Sequence, residues 1–126
     1  MFQKGDILEA TDRAVTAGRH YVLYLEGFSH DDFIGGMITH SQINGNLEME
    51  SDHFEFFDGN GNAYQVVYDR TYLVHAKLIK PGIWGPYTKV GCLSATGIAF
   101  FENSIEPLAA ETFEDYCRRT INNNNI

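Results

Sequence analysis

Apolar residues recur along most of this chain in short runs of strand character, and near its C-terminal end at helical spacing. The runs Gly5 to Glu9, Gly18 to Leu23 and Ile34 to Ser41 predict three strands, with the polar stretch Thr11 to Gly18 as a long loop after the first. Phe28-Ser29-His30-Asp31-Asp32 is short enough for the second and third to pair as an antiparallel hairpin about His30. Asn44-Gly45-Asn46 is a turn signal, followed by a brief strand at Leu47 to Glu50. His53 to Phe57 and Ala63 to Tyr68 predict a second hairpin about Asp58-Gly59-Asn60-Gly61-Asn62, whose glycines and asparagines tolerate left-handed backbone. Tyr72 to Lys80 predicts one more strand, ended by Pro81-Gly82.

After Cys92-Leu93 the period changes. Ser94 caps a predicted short helix with Ile98, Phe101 and Ile105 on one face, although Gly97 weakens it. Thr112 caps a second, with Asp115 three residues on, Glu111 and Glu114 near its start and Arg118 and Arg119 near its end. Its apolar stripe is Phe113, Tyr116, Cys117 and Ile121. The expected fold is mainly β, a small, strongly bent barrel with one or two C-terminal helices packed on it. One domain over residues 1–121 and a frayed Asn-rich tail at 122–126 are expected.

The length of 126 residues suits one domain with a substantial core. A hydrophobic content of 44% excludes global disorder, and no apolar run approaches the roughly 20 residues of a membrane helix, so a soluble protein without membrane contact is expected. Met1 to Asp6 lacks the basic segment and apolar stretch of a secretory signal, which points to the cytoplasm. Cys92 and Cys117 form no close pair and no histidine stands at metal spacing, so free thiols and no metal or other cofactor are expected.

Charge narrows the partners. The net charge is −8, and between Arg19 and Arg70 there is no Lys or Arg but nine acids. Proteins that grip long nucleic acid by electrostatics show the opposite bias, so any such role needs a local basic spot, for which Arg19, Lys77, Lys80 and Lys89 are the candidates. The acidic run otherwise reads as a solvated face, or as a surface for a basic protein partner.

The candidate chemistry lies at the ends of the first hairpin. With position 19 opposite position 41, Arg19, Thr39 and Ser41 share one face; a slip of one residue gathers His20 and His40 there instead. A guanidinium beside hydroxyls and imidazoles suits a phosphate diester on which charge develops. Each residue also has an ordinary reading: Arg19 paired with Asp6 or Glu26, Thr39 and Ser41 bonded to strand-end backbone. His30, His53 and His75 share no ligand spacing. The 58–62 turn departs from a calcium loop, with Ala63 at the position that needs glycine and Asp69 where glutamate belongs. Trp84, between Pro81-Gly82 and Gly85-Pro86, either stacks on a base or plugs a barrel end. An aromatic-lined small-molecule pocket is a further option.

The order Gly5-Asp6-Ile7, Gly18-Arg19-His20, Met37-Ile38-Thr39-His40-Ser41, Tyr72 to Lys80 and Val90 to Ile105 resembles the MazF/PemK toxin family across about residues 5 to 105. Gly91-Cys92-Leu93-Ser94 and the helix after it look like that family's Gly-x-Leu-Ser element, while Tyr21 stands where the family has proline. The resemblance implies an SH3-like β-barrel, a homodimer, an antitoxin as protein partner, and metal-independent cleavage of single-stranded RNA. It implies Arg19 and Thr39 as catalytic residues. Attack of a 2′-OH on its own 3′ phosphate would be supported by His20, His40 and Ser41, with Lys77, Lys80 and Trp84 binding the substrate.

Overall fold

Leu8, Val22 and Met37 stand side by side across three neighbouring strands, and so do Ile7, Leu23 and Gly36 one residue along. Because side chains alternate, the two rows face opposite ways, yet the five side chains among them are all buried. The sheet is therefore covered on both sides. In the computed structural model, which describes residues 2–10, 21–28, 32–81 and 85–124, these strands are β1 (Asp6–Ala10), β2 (Tyr21–Gly27) and β3 (Phe33–Thr39).

Among the described residues six further strands join the sheet: β4 (Leu47–Glu48), β5 (Phe54–Glu55), β6 (Tyr72–Leu73), β7 (Lys77–Lys80), β8 (Tyr87–Leu93) and β9 (Ala110–Thr112). Its main path runs β4-β6-β3-β2-β1-β8-β5, all antiparallel, and curls into a half-barrel. β7 pairs with the other half of β3 and takes β9 parallel on its outer side. The fold is mainly β, a small barrel-like sheet with two C-terminal helices packed on it, as the sequence predicts.

Both helices begin where their caps stand. In α1 (Ala95–Ile105) the Ser94 hydroxyl accepts from Gly97 N at 3.1 Å; in α2 (Phe113–Asn124) the Thr112 hydroxyl accepts from Asp115 N at 3.1 Å. Phe101 and Ile105 of α1 join Ile7, Leu23, Ile38 and Leu73 in the inner core. Tyr116 of α2 closes the outer core of Leu8, Val22, Met37, Val74 and Leu78. Each such buried aliphatic or aromatic side chain contributes roughly 1.5–3 kcal/mol. Gly36 leaves room for the Phe101 ring, since a Cβ there would come within 2.9 Å of it.

Four local expectations are corrected. First, Tyr21 pairs with Ile38 rather than Thr39, because a bulge between Tyr24 and Glu26 absorbs one residue; the ladder is thus one position off the 19-to-41 register. Second, the 72–80 strand is broken into β6 and β7, with Val74 N bonded to Met37 O and Ala76 N to Val74 O. Third, the second hairpin keeps its turn, where Asp58 Oδ1 accepts from Asn60 N and Asn62 N, but its return arm is not a strand and β5 pairs with β8. Fourth, Ile121 is 57% exposed and Thr120 takes the buried position, because the helix turns that face toward the sheet. The parallel strand β9 has no counterpart among the expectations, and α2 continues to Asn124.

Candidate functional site

β2 begins and β3 ends at the same end of the sheet. Tyr21 lies opposite Ile38, and Thr39 opposite Tyr72 of β6. Beyond Thr39 the chain turns tightly: Ser41 N donates to Thr39 Oγ1 at 3.3 Å, Ile43 N to Ser41 Oγ at 3.4 Å, and Asn46 Nδ2 to Ser41 O at 2.9 Å. The ordinary reading of both hydroxyls is therefore realised in part, although each O–H remains available to donate.

Segment 63–71 arcs across from the far side of the sheet. Val66 N donates to Val90 O at 2.9 Å, and the close approach needs the missing side chain of Gly91, where a Cβ would stand 2.7 Å from Val66 O. The arc ends in a turn fixed by buried Thr71, whose hydroxyl donates to Asp69 O at 3.3 Å and accepts from Asp69 N at 3.4 Å. Arg70, between them, has φ 47°, a left-handed conformation that a non-glycine residue adopts only under local constraint.

Sheet end and arc border an open cavity of about 560 Å³. Tyr21, Thr39, His40, Gln65, Asp69 and Thr71 supply its polar groups, and Ile38, Val66 and Val67 its apolar wall. Among the described residues, the side chains of Tyr21, His40, Gln65 and Asp69 make no hydrogen bond or ion pair, so four polar groups converge with their bonding capacity unused. Among the described residues that line it there is no Lys or Arg. A smaller cavity of about 380 Å³, lined by Asp58, Tyr64, Lys89 and others, adjoins through Gln65, which lines both.

Of the sequence-derived candidates, Thr39 and His40 reach the larger cavity, and Ser41 braces the turn beside it. Arg19, His20 and Trp84 lie outside the described residues, as does His30. The three candidate lysines do not assemble a basic spot, because the sheet sends them to separate places. Lys77 Nζ donates to Glu106 O at 3.0 Å, at the C-terminal end of α1. Lys80 is 1% exposed, with its ammonium 5.1 Å from the centre of the Phe113 ring beneath α2. It pairs with Phe33 at the far end of β3, about 20 Å along the strand from Thr39. Lys89 is held 3.1 Å from buried Asp6 and 5.7 Å from the Tyr64 ring; burial opposes its charge most strongly, but the hydrogen bond to Asp6 and the negative charge of Asp6, Cys92 and Tyr64 together raise its pKa.

Other candidates have structural partners. His53 is buried, accepts from Glu50 N through Nδ1 at 2.9 Å, and stacks on Phe100 at 4.6 Å. Asp58, held by the backbone N–H groups of Asn62 and Asn60, has its pKa lowered as a turn anchor. The Cys92 thiol is pushed up by burial, away from the thiolate form a nucleophile needs. Among the described residues no three His, Cys, Asp or Glu side chains gather to hold a metal ion. No helix among them is long and apolar enough to cross a membrane.

Tyr21, Gln65, Asp69 and Thr71 were not among the site residues expected from the sequence. Gln65 and Asp69 sit in a segment that reads as a strand and its flank, and only the arc over Val90 brings them to Thr39. The arrangement offers an imidazole for proton transfer, hydroxyls for a phosphate oxygen, and a carboxylate and an amide for polar recognition. In comparisons with family models, curated proteins and solved structures, the chain has no match.

Proposed function

We propose that this chain is a metal-independent endoribonuclease of the MazF/PemK toxin type, acting on single-stranded RNA in the cytoplasm as a homodimer controlled by an antitoxin. One observation supports it above the rest: Thr39 and His40 line an open cavity together with Tyr21, two residues after Arg19 in sequence.

In this reading His40, which is exposed, takes the proton from the 2′-OH. The O2′–P bond forms as the P–O5′ bond breaks, and the departing O5′ collects a proton, leaving a 2′,3′-cyclic phosphate and a free 5′-OH. Thr39 donates its hydroxyl hydrogen to a phosphate oxygen, and Arg19, by the family resemblance, meets the growing charge. DNA, lacking the 2′-OH, is not cut.

Purified protein incubated with single-stranded RNA in chelator tests it. Cleavage to cyclic phosphate ends, abolished by Arg19→Ala, is expected; intact RNA at high enzyme, or cleavage indifferent to Arg19→Ala, overturns it.

A second reading has its own support. Glu48, Glu50, Asp52 and Glu55 are exposed, Phe56 and Phe57 of the same stretch of sequence are 41% and 62% exposed, and residues 21–69 hold no Lys or Arg. A non-catalytic acidic barrel that binds and modulates a basic protein partner would carry such a surface. Charge reversal of Glu48, Glu50 and Glu55 to lysine abolishes partner binding in that reading and leaves RNA cleavage intact in the first.

A further inference from the structure

The Asp69 carboxylate is the one feature of the larger cavity that a phosphodiester does not explain. It carries the same sign as the substrate backbone, it has no hydrogen-bond or ion-pair partner among the described residues, and exposed Asp69 lines a cavity whose described lining holds no Lys or Arg. Its backbone is also fixed: N and O of Asp69 both bond to the hydroxyl of buried Thr71, and Arg70 is held at φ 47° beside it. An ionised carboxylate on this fixed backbone accepts hydrogen bonds only, so an organic ligand bonded to it brings N–H or O–H groups.

Among the nucleobases, guanine alone presents two parallel donors, N1–H and the 2-amino group, matched to the two oxygens of a carboxylate. Adenine and cytosine offer a single amino group beside an acceptor nitrogen. Uracil sets its one N–H between two carbonyls, which a carboxylate repels. Ile38, Val66 and Val67 give the apolar wall for a planar ring, and Gln65 has a free amide to donate to O6. The volume of about 560 Å³ falls in the range of small-ligand sites.

We propose that the cavity between the β2/β3 sheet end and segment 63–71 is a guanine subsite, in which Asp69 reads the N1–H and 2-amino edge and Gln65 reads O6. The inference rests on the RNA reading for its biological setting, but base recognition is measurable without cleavage.

Titration of the full chain with the 5′-monophosphates of guanosine, inosine, adenosine, cytidine, uridine and xanthosine, followed by NMR at millimolar concentration, tests it. The guanosine nucleotide binds at least about tenfold more tightly than the inosine nucleotide, which lacks the 2-amino group, and than the other bases. Asp69→Asn keeps the folded spectrum, loses this preference, and gains affinity for the xanthosine nucleotide, whose C2 carbonyl accepts from the new amide. Equal binding of all bases, no binding at all, or an Asp69→Asn protein that still prefers guanosine overturns the subsite. RNA cleavage without any guanine preference removes the subsite and leaves the ribonuclease. Guanine-selective binding with intact RNA removes the ribonuclease and leaves the subsite.

Discussion

Tyr21 of β2 stands opposite Ile38 of β3, one residue short of Thr39, because the bulge between Tyr24 and Glu26 consumes a position of the hairpin. On the other side of β3, Thr39 pairs with Tyr72 of β6. The cavity takes in both Ile38 and Thr39, neighbours of opposite parity, which only a cavity at the end of a strand can do.

Thr39→Val separates catalysis from turn support. The hydroxyl accepts a single 3.3 Å bond from Ser41 N, so the variant loses no more than about 1 kcal/mol of stability in urea unfolding. If the hydroxyl also holds a phosphate oxygen, RNA cleavage falls by about 100-fold or more. Undiminished cleavage by a folded variant assigns Thr39 to the turn alone.

Gly97→Ala tests the seating of α1. A Cβ at Gly97 would run into the backbone carbonyl of His53, which itself accepts from Ser94 N, so the helix must shift off the short turn beneath it. Urea unfolding should show a loss of about 2–4 kcal/mol. Gly59→Ala, with nothing within 4 Å, should stay within about 0.5 kcal/mol of the parent.

Lys80→Ala should act on folding and not on RNA. Its stem is buried under α2 with the ammonium over Phe113, and truncation leaves a cavity that costs about 2–4 kcal/mol. Any loss of RNA binding then matches the unfolded fraction measured by circular dichroism. Lys77→Ala, whose ammonium bonds Glu106 O at the surface, changes stability by about 0.5 kcal/mol or less.

Tyr87 gives stability an alkaline limit. Burial of the ring pushes the phenol above its ordinary range, with nearby Asp32 adding to the shift, while the hydroxyl donates to Pro81 O at 2.8 Å. The folded pKa is raised, so the contribution is complete below the unfolded value of about 10 and declines as pH rises above it. Urea midpoints measured between about pH 9 and 11 should fall less steeply in Tyr87→Phe than in the parent; parallel slopes would refute the assignment.

Much of the fold was legible locally. Ser94 and Thr112 announce their helices because a cap needs only a side-chain oxygen and the N–H three residues on, and both bonds form. The run around Ile34 to Thr39 announces a central strand because it is buried on both faces. Ile121 misled because apolar spacing on a helix does not say which neighbour the helix meets; the hydroxyl of Thr120 instead bonds Tyr116 O within its own helix and can be buried. At the site, Thr39 and His40 were legible from strand-end chemistry, whereas Gln65 and Asp69 carried no signal of their own.

The alternation of strands, the two capped helices and the asparagine and glycine turns could be read along the chain because each follows from contacts within a few residues, and the charge balance follows from composition. Long-range packing set the register of the first hairpin, the exchange of partners that joins β5 to β8, the burial of Lys80, and the arc that carries Gln65 and Asp69 to Thr39. Those outcomes depend on packing between residues far apart in sequence, such as Val66 on Val90 across the gap left by Gly91, and no local pattern of polar and apolar positions encodes such a pairing.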